Sequence, residues 1–162
     1  LRGHHNNVVA SFFVPKLKGN PMKRYKMIPL ELIKVSEAIS KRPLCSPEAV
    51  YEYMRKEALA DREIFWVLHL NTKNKIVKKE MTAMGCADSC RVMPALVLRG
   101  VVASGAPSII TVHNHPSGET NPSPEDRNLW GTMREACQLL GIRVLDNMVI
   151  GSSGYYSEEE NK

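Results

Sequence analysis

The 162-residue sequence has no apolar run approaching the roughly 20 residues that a membrane span needs. Its best N-terminal stretch, "VVASFFV" (residues 8–14), is too short for a span and lacks a clean cleavage site, so neither anchor nor signal peptide is expected. Cysteine is scarce: Cys45, Cys86, Cys90 and Cys137 are all there are. Three residues separate Cys86 from Cys90, not the two of a structural zinc knuckle, and no second pair completes four soft ligands. Reduced thiols in a cytoplasmic protein are the expectation. There is no internal repeat. The apolar share of 43% lies slightly below the globular average and the charged share is ordinary, so one domain with a real core and an extra arm is expected.

Acid is thin at one end. Residues 1–45 hold nine Lys or Arg against two acids, a local balance of +7, whereas the remainder holds 13 against 15. The high pI therefore belongs to the arm. A segment such as "KLKGNPMKRYK" attracts phosphates, DNA among them, although a solvated leader has the same composition. Residues 1–44 are read as a basic arm with a short helix over "IPLELIKVSEAISK", and residues 45–162 as the main domain.

Within that domain "SPEAVYEYMRKEAL" predicts a helix, with Ser46 as N-cap and Pro47 behind it. "EIFWVLHL" and "KIVKKEMTA" predict a strand pair joined by the turn "NTKN". "MPALVLRGVVASG" reads as a helix, "PSIITVH" as a strand, and "SPEDRNLWGTMREACQLLG" as a helix from Ser123 to a stop near Gly141. "IRVLDNMVIG" and "GYYS" read as closing strands. The class is α/β with a mixed sheet flanked by helices.

What is concentrated is chemistry, in "SIITVHNHPSGETNPSPEDRNLW" (residues 108–130). A strand places residues i and i+2 on one face, so His113 and His115 can converge, with Asn114 on the other face. Asp126 falls in the first turn of the next helix, where its carboxylate can face back toward the strand end. Two imidazoles and a carboxylate make three zinc ligands with a fourth position for water, the arrangement of a catalytic zinc. A further carboxylate is then needed as general base. Ser123-x-x-Asp126 is also close to a capping box, which accounts for those two residues without a metal. Capping does not account for two same-face histidines just upstream. Contiguous "HNH" is not the nuclease signature, whose named residues are spread over a finger.

The run "HNHPSGETNPSPED" resembles the JAMM metal-site signature of the MPN/JAB fold, and more closely its RadC-like branch, marked by H-N-H-P-S-G and then P-S-x-x-D. "REIFWVLHLNTKNKIV" and "LLGIRVLDNMVIG" with "YYS" are similar to the same family, so the resemblance covers about residues 45–157. The helix-hairpin-helix segment that often precedes the domain is not evident. The resemblance implies a cytidine-deaminase-like, JAB/MPN mixed sheet. It implies zinc held by His113, His115 and Asp126, with Ser123 steadying the tetrahedral intermediate. Glu63 stands where the family carries its catalytic acid, with Glu80 and Glu119 as the other carboxylates to consider. The implied activity is a zinc-dependent hydrolysis of an amide bond, peptide or isopeptide, in an unidentified substrate. The alternative is a non-catalytic, DNA-associated accessory module. The chain departs from the family pattern at Ala95 and Leu96, in place of a basic-acidic pair, at Asn147, in place of a histidine, and at Glu158, in place of an aromatic. None is an implied ligand. The departures bear on substrate contacts or on residues behind the site.

Overall fold

A computed structural model describes residue 40, residues 43–85 and residues 92–162. The expected arm, the helix over "IPLELIKVSEAISK" (Ser40 apart), Cys86 and Cys90 lie outside the described residues. Cys45 and Cys137 are free thiols, exposed and buried respectively.

Among the described residues the elements are α1 (Pro47–Met54), β1 (Ile64–Leu70), β2 (Ile76–Met84), α2 (Pro94–Ser104), β3 (Ser108–Asn114), α3 (Pro124–Leu139), β4 (Arg143–Gly151) and β5 (Gly154–Ser157), with a 3-10 turn at Glu57–Leu59. They form one five-stranded sheet in the order β2-β1-β3-β4-β5. β1 runs antiparallel to β2 and β3, β3 parallel to β4, and β4 antiparallel to β5. A parallel neighbour cannot be reached by a tight turn, and α3 supplies the crossover between β3 and β4.

The central strands β1 and β3 are buried at every position, because both faces of the sheet are covered. Alternation along the strands sorts the core into two layers. Trp66, Leu68, Ile110, Val112, Met148 and Ile150 pack with Val50 and Met54 of α1. Phe65, Val67 and Ile109 pack on the opposite face with Val97 and Val101 of α2 and Met133 and Cys137 of α3. His113 belongs by parity to this second face, beneath α3. No helix among the described residues is long and apolar enough to cross a membrane.

Two boundaries differ from expectation. The helix expected over residues 46–59 ends at Met54, and the 3-10 turn that follows carries Ala58 into the core beside α1. β1 starts at Ile64, so Glu63 stands just before the strand instead of opening it. The turn is as its residues dictate. The Asn71 Oδ1 accepts from the Lys73 and Lys75 amides (2.9 and 3.1 Å), and Asn74 adopts a φ of 53°, a left-handed conformation that asparagine tolerates.

Candidate metal centre

The site assembles at the C-terminal end of β3. His113 is the last but one residue of the strand, is paired in register with Phe65, and stacks on that ring at 6.0 Å between centroids. His115 lies one residue past the strand end, yet its ring still turns to His113, and their Nε2 atoms are 3.2 Å apart. The loop that follows is held down on the sheet. The Gly118 amide donates to the His115 carbonyl (2.9 Å) with φ of 84°, and a side chain at Gly151 of β4 would overlap the Gly118 carbonyl. That tight loop brings the Glu119 carbonyl to 3.0 Å from His115 Nδ1.

Asp126 occupies the third position of α3 and does two jobs. The capping box is present: the Ser123 amide and hydroxyl donate to Asp126 Oδ2 (2.8 and 2.7 Å), and the Asp126 amide donates to Ser123 Oγ (3.1 Å). The same carboxylate faces both imidazoles, with Oδ1 3.2 Å from His113 Nε2 and Oδ2 3.5 Å from His115 Nε2. Capping and ligand geometry are therefore not alternatives here. The cap fixes the rotamer that aims the carboxylate. Burial would push the Asp126 carboxyl up, but hydrogen bonds from His113, His115 and Ser123 outweigh it and hold the group well below the usual carboxylate range. The His115 imidazole is raised by its bond to Asp126, against the opposing effect of burial.

Ligand atoms of His113, His115 and Asp126 all lie within 4.8 Å of one another, so the group could hold a metal ion. The donor chemistry fits. Donation of His115 Nδ1–H to the Glu119 carbonyl fixes the neutral tautomer that leaves Nε2 with its lone pair, the outer contact that metal-ligating histidines ordinarily make. Two imidazole Nε2 atoms and a carboxylate thus converge, a donor set that suits a cation.

Of the three carboxylates considered as base, Glu63 is half-buried just ahead of β1, the strand that pairs with β3. Burial raises its carboxyl, the charges of His113 and His115 oppose that rise, and Asp126 adds to it, so Glu63 lies within the field of all three candidate ligands. Glu119 is exposed in the loop. Glu80 is engaged elsewhere, 3.1 Å from His69 Nε2 and 3.0 Å from Lys78 Nζ.

Some contributors escape sequence reasoning. Trp130, one helical turn after Asp126, is buried against the His113 ring (6.2 Å) and stacks on Tyr156 (6.3 Å), over which the Arg127 guanidinium lies at 5.6 Å. Two of the family departures are partners of each other. Asn147 Nδ2 donates to Glu158 Oε2 (2.6 Å), Arg134 of α3 pairs with the same carboxylate, and Thr111 Oγ1 donates to Asn147 Oδ1 (2.5 Å). Asp126, Trp130 and Arg134 are four residues apart on one stripe of α3, so this relay holds the helix two turns below Asp126. Spacing along the chain does not report the contact between Asn147 and Glu158. The other departures, Ala95 and Leu96, are exposed in the first turn of α2.

The family model of the RadC-like JAB domain matches residues 44–162. Similar proteins include a "UPF0758 protein" of Chlorobium phaeovibrioides, 41% identical over 113 residues, covering 69% of this chain and 51% of that protein. Another, from Actinobacillus pleuropneumoniae, is 34% identical over 141 residues, covering 80% of this chain and 64% of its own. A third, from Methanosarcina acetivorans, is 39% identical over 118 residues, covering 72% and 52%. This chain thus spans about half to just under two thirds of the length of these relatives. With the sheet order, the histidine pair and the capped aspartate in place, and the family match running over most of the chain, the protein belongs to the RadC-like JAB domain family.

Proposed function

We propose that the domain is a zinc-dependent hydrolase of amide bonds, peptide or isopeptide. The observation that carries this reading is the convergence of His113 Nε2, His115 Nε2 and the Asp126 carboxylate at the end of β3, with the half-buried Glu63 just ahead of β1, the strand paired with it. Those three residues would hold the ion. Bound zinc supplies Lewis acidity toward a carbonyl oxygen and brings the pKa of a water molecule from bulk values to about 7. Glu63 accepts the proton of the attacking water on its carboxylate and delivers it to the departing amine nitrogen. A base needs its pKa near the working pH, and burial moves Glu63 in that direction. Ser123 donates to the developing oxyanion. In the resting arrangement its hydroxyl donates to Asp126 Oδ2, so it must rotate to do so.

The free thiols Cys45 and Cys137 support a reducing, cytoplasmic setting. The +7 balance of residues 1–45 supports a phosphate-bearing partner such as DNA for that segment. The test of the hydrolase is a paired comparison. His113→Ala should lose both zinc and hydrolysis of a peptide and isopeptide library. Glu63→Gln should keep zinc and lose hydrolysis. Zinc-loaded wild type without activity on either bond class would refute the reading.

A further inference from the structure

Asn114 stands between the two histidines and plays no part in the ligand set. Its side chain leaves the opposite face of β3 and is fully buried. There it meets the chain just ahead of β1. Asn114 Oδ1 accepts from the Ile64 amide (3.0 Å), and Asn114 Nδ2 donates to the Arg62 carbonyl (3.0 Å) and to the Ala60 carbonyl (3.4 Å). A primary amide carries an acceptor and a donor together, as a peptide group does. Asn114 therefore continues the β1–β3 ladder by one rung after the Phe65–His113 pair, with a side chain in place of backbone.

The residue bracketed by this rung is Glu63. The peptide groups on both sides of it are tied to Asn114, and its own carbonyl accepts from the Gly85 amide (2.9 Å). With its backbone fixed on both flanks, the strand alternation that sends Phe65 toward His113 sends Glu63 to the same face. Buried amides and carbonyls at this place need partners in any case, so a purely structural role for Asn114 would also satisfy them. What a structural role does not require is that the partner come from within the tripeptide that bears both imidazoles.

We propose that Asn114 is the positioning residue of Glu63, so that the three residues His113, Asn114 and His115 set the two metal-ligand rings with one face and the reach of the base with the other. The proposal rests on the hydrolase reading for the role of Glu63, and its test separates the two.

The variants are Asn114→Asp, which keeps the acceptor for Ile64 and loses the donor to Arg62 and Ala60, and Asn114→Ala, which loses all three bonds. Each is made alone and with Glu63→Gln. Zinc affinity is measured by competition with a chromophoric chelator, and the Glu63 carboxyl carbon is followed by NMR as zinc is added. In wild type the carboxyl resonance should move on zinc addition. In Asn114→Asp it should move far less, while zinc affinity changes by less than the ~10-fold typical of a lost contact behind a ligand. Hydrolysis should fall toward the level of Glu63→Gln, and Asn114→Asp should cost nothing further in the Glu63→Gln background. An unchanged carboxyl response in zinc-loaded Asn114→Asp, or additive losses in the double variant, would overturn the proposal. So would zinc binding lost in Asn114→Asp, which would make Asn114 a support of the histidines instead, or a wild-type carboxyl that ignores zinc. Asn114→Ala repeats the same readings with all three bonds gone and should exceed Asn114→Asp in effect. A wild type that shows the carboxyl response but hydrolyses nothing refutes the hydrolase reading alone, and the NMR comparison still decides the role of Asn114.

Discussion

Asp126 Oδ1 lies 3.2 Å from His113 Nε2 while Oδ2 of the same carboxylate accepts from the Ser123 amide and hydroxyl. A helix cap and a candidate metal ligand are thus one side chain, and the helix start sets the direction of the ligand. Ser123→Ala removes the hydroxyl from both Asp126 Oδ2 and the Asp126 amide. It should lower stability by about 1 kcal/mol, the usual cost of a lost cap. It should also weaken zinc binding ~10-fold, because the carboxylate loses the bond that orients it. Urea unfolding of the metal-free protein and chelator competition read the two effects separately.

A proton would compete with a bound metal ion for His115. Its pKa is raised by the bond to Asp126, so in the metal-free protein the ring becomes protonated at a pH above the ordinary histidine value of 6.5. Zinc affinity should start to fall with acid above that value, and binding near neutrality should release protons. Calorimetric titrations in two buffers of different ionisation enthalpy measure the released protons. Zinc binding without proton release near neutral pH would be at odds with the raised His115.

Gly151 and Gly118 meet backbone to backbone. An added Cβ at Gly151 would overlap the Gly118 carbonyl, and neither backbone can yield as a flexible side chain would. Gly151→Ala should cost about 1–3 kcal/mol, as overpacking does. By lifting the loop it should also separate His115 Nδ1 from the Glu119 carbonyl, with a loss of zinc affinity. Retained affinity at lowered stability would show that the loop contact serves the fold alone.

Asp146 is buried on β4, with its Oδ1 accepting from the Asn147 and Glu159 amides (2.8 and 3.1 Å) and its Oδ2 from the Ser157 hydroxyl (2.7 Å). Burial nevertheless raises its pKa, against those hydrogen bonds. An acid whose folded pKa exceeds its unfolded value favours the fold most below the unfolded value, here 3.8, and that contribution is lost as pH rises through the higher folded value. Asp146→Asn preserves the shape and does not ionise. Relative to wild type it should gain stability as pH rises from 3.8 through the folded value, as read by urea unfolding across that window. A constant difference across the window would contradict the raised pKa.

Much of this was open to reading in the sequence, for physical reasons that differ by element. α3 carries its own start in Ser123 and Pro124, and β5 follows a turn and was expected over the four residues it occupies. Local chemistry fixes such pieces. The split of the first helix at Met54 was not legible, because the demand that draws Ala58 into the core comes from the sheet and not from its neighbours in sequence. The histidine pair followed from strand parity, although His115 lies just outside the strand and is held by a loop carbonyl. Strand parity shows Asn114 only as the residue facing away. Its partners at Ala60, Arg62 and Ile64 lie fifty or more residues earlier, and no periodicity reports such a pairing.

The central claim is tested most directly by measuring zinc content and amide-bond hydrolysis on the same preparations of wild type and Glu63→Gln. One zinc per chain in both proteins is expected, with hydrolysis in wild type and a loss of ~100-fold or more in Glu63→Gln, the scale of a missing acid–base group. Full activity in Glu63→Gln, or wild type that carries zinc and cleaves neither peptide nor isopeptide bonds, would contradict it.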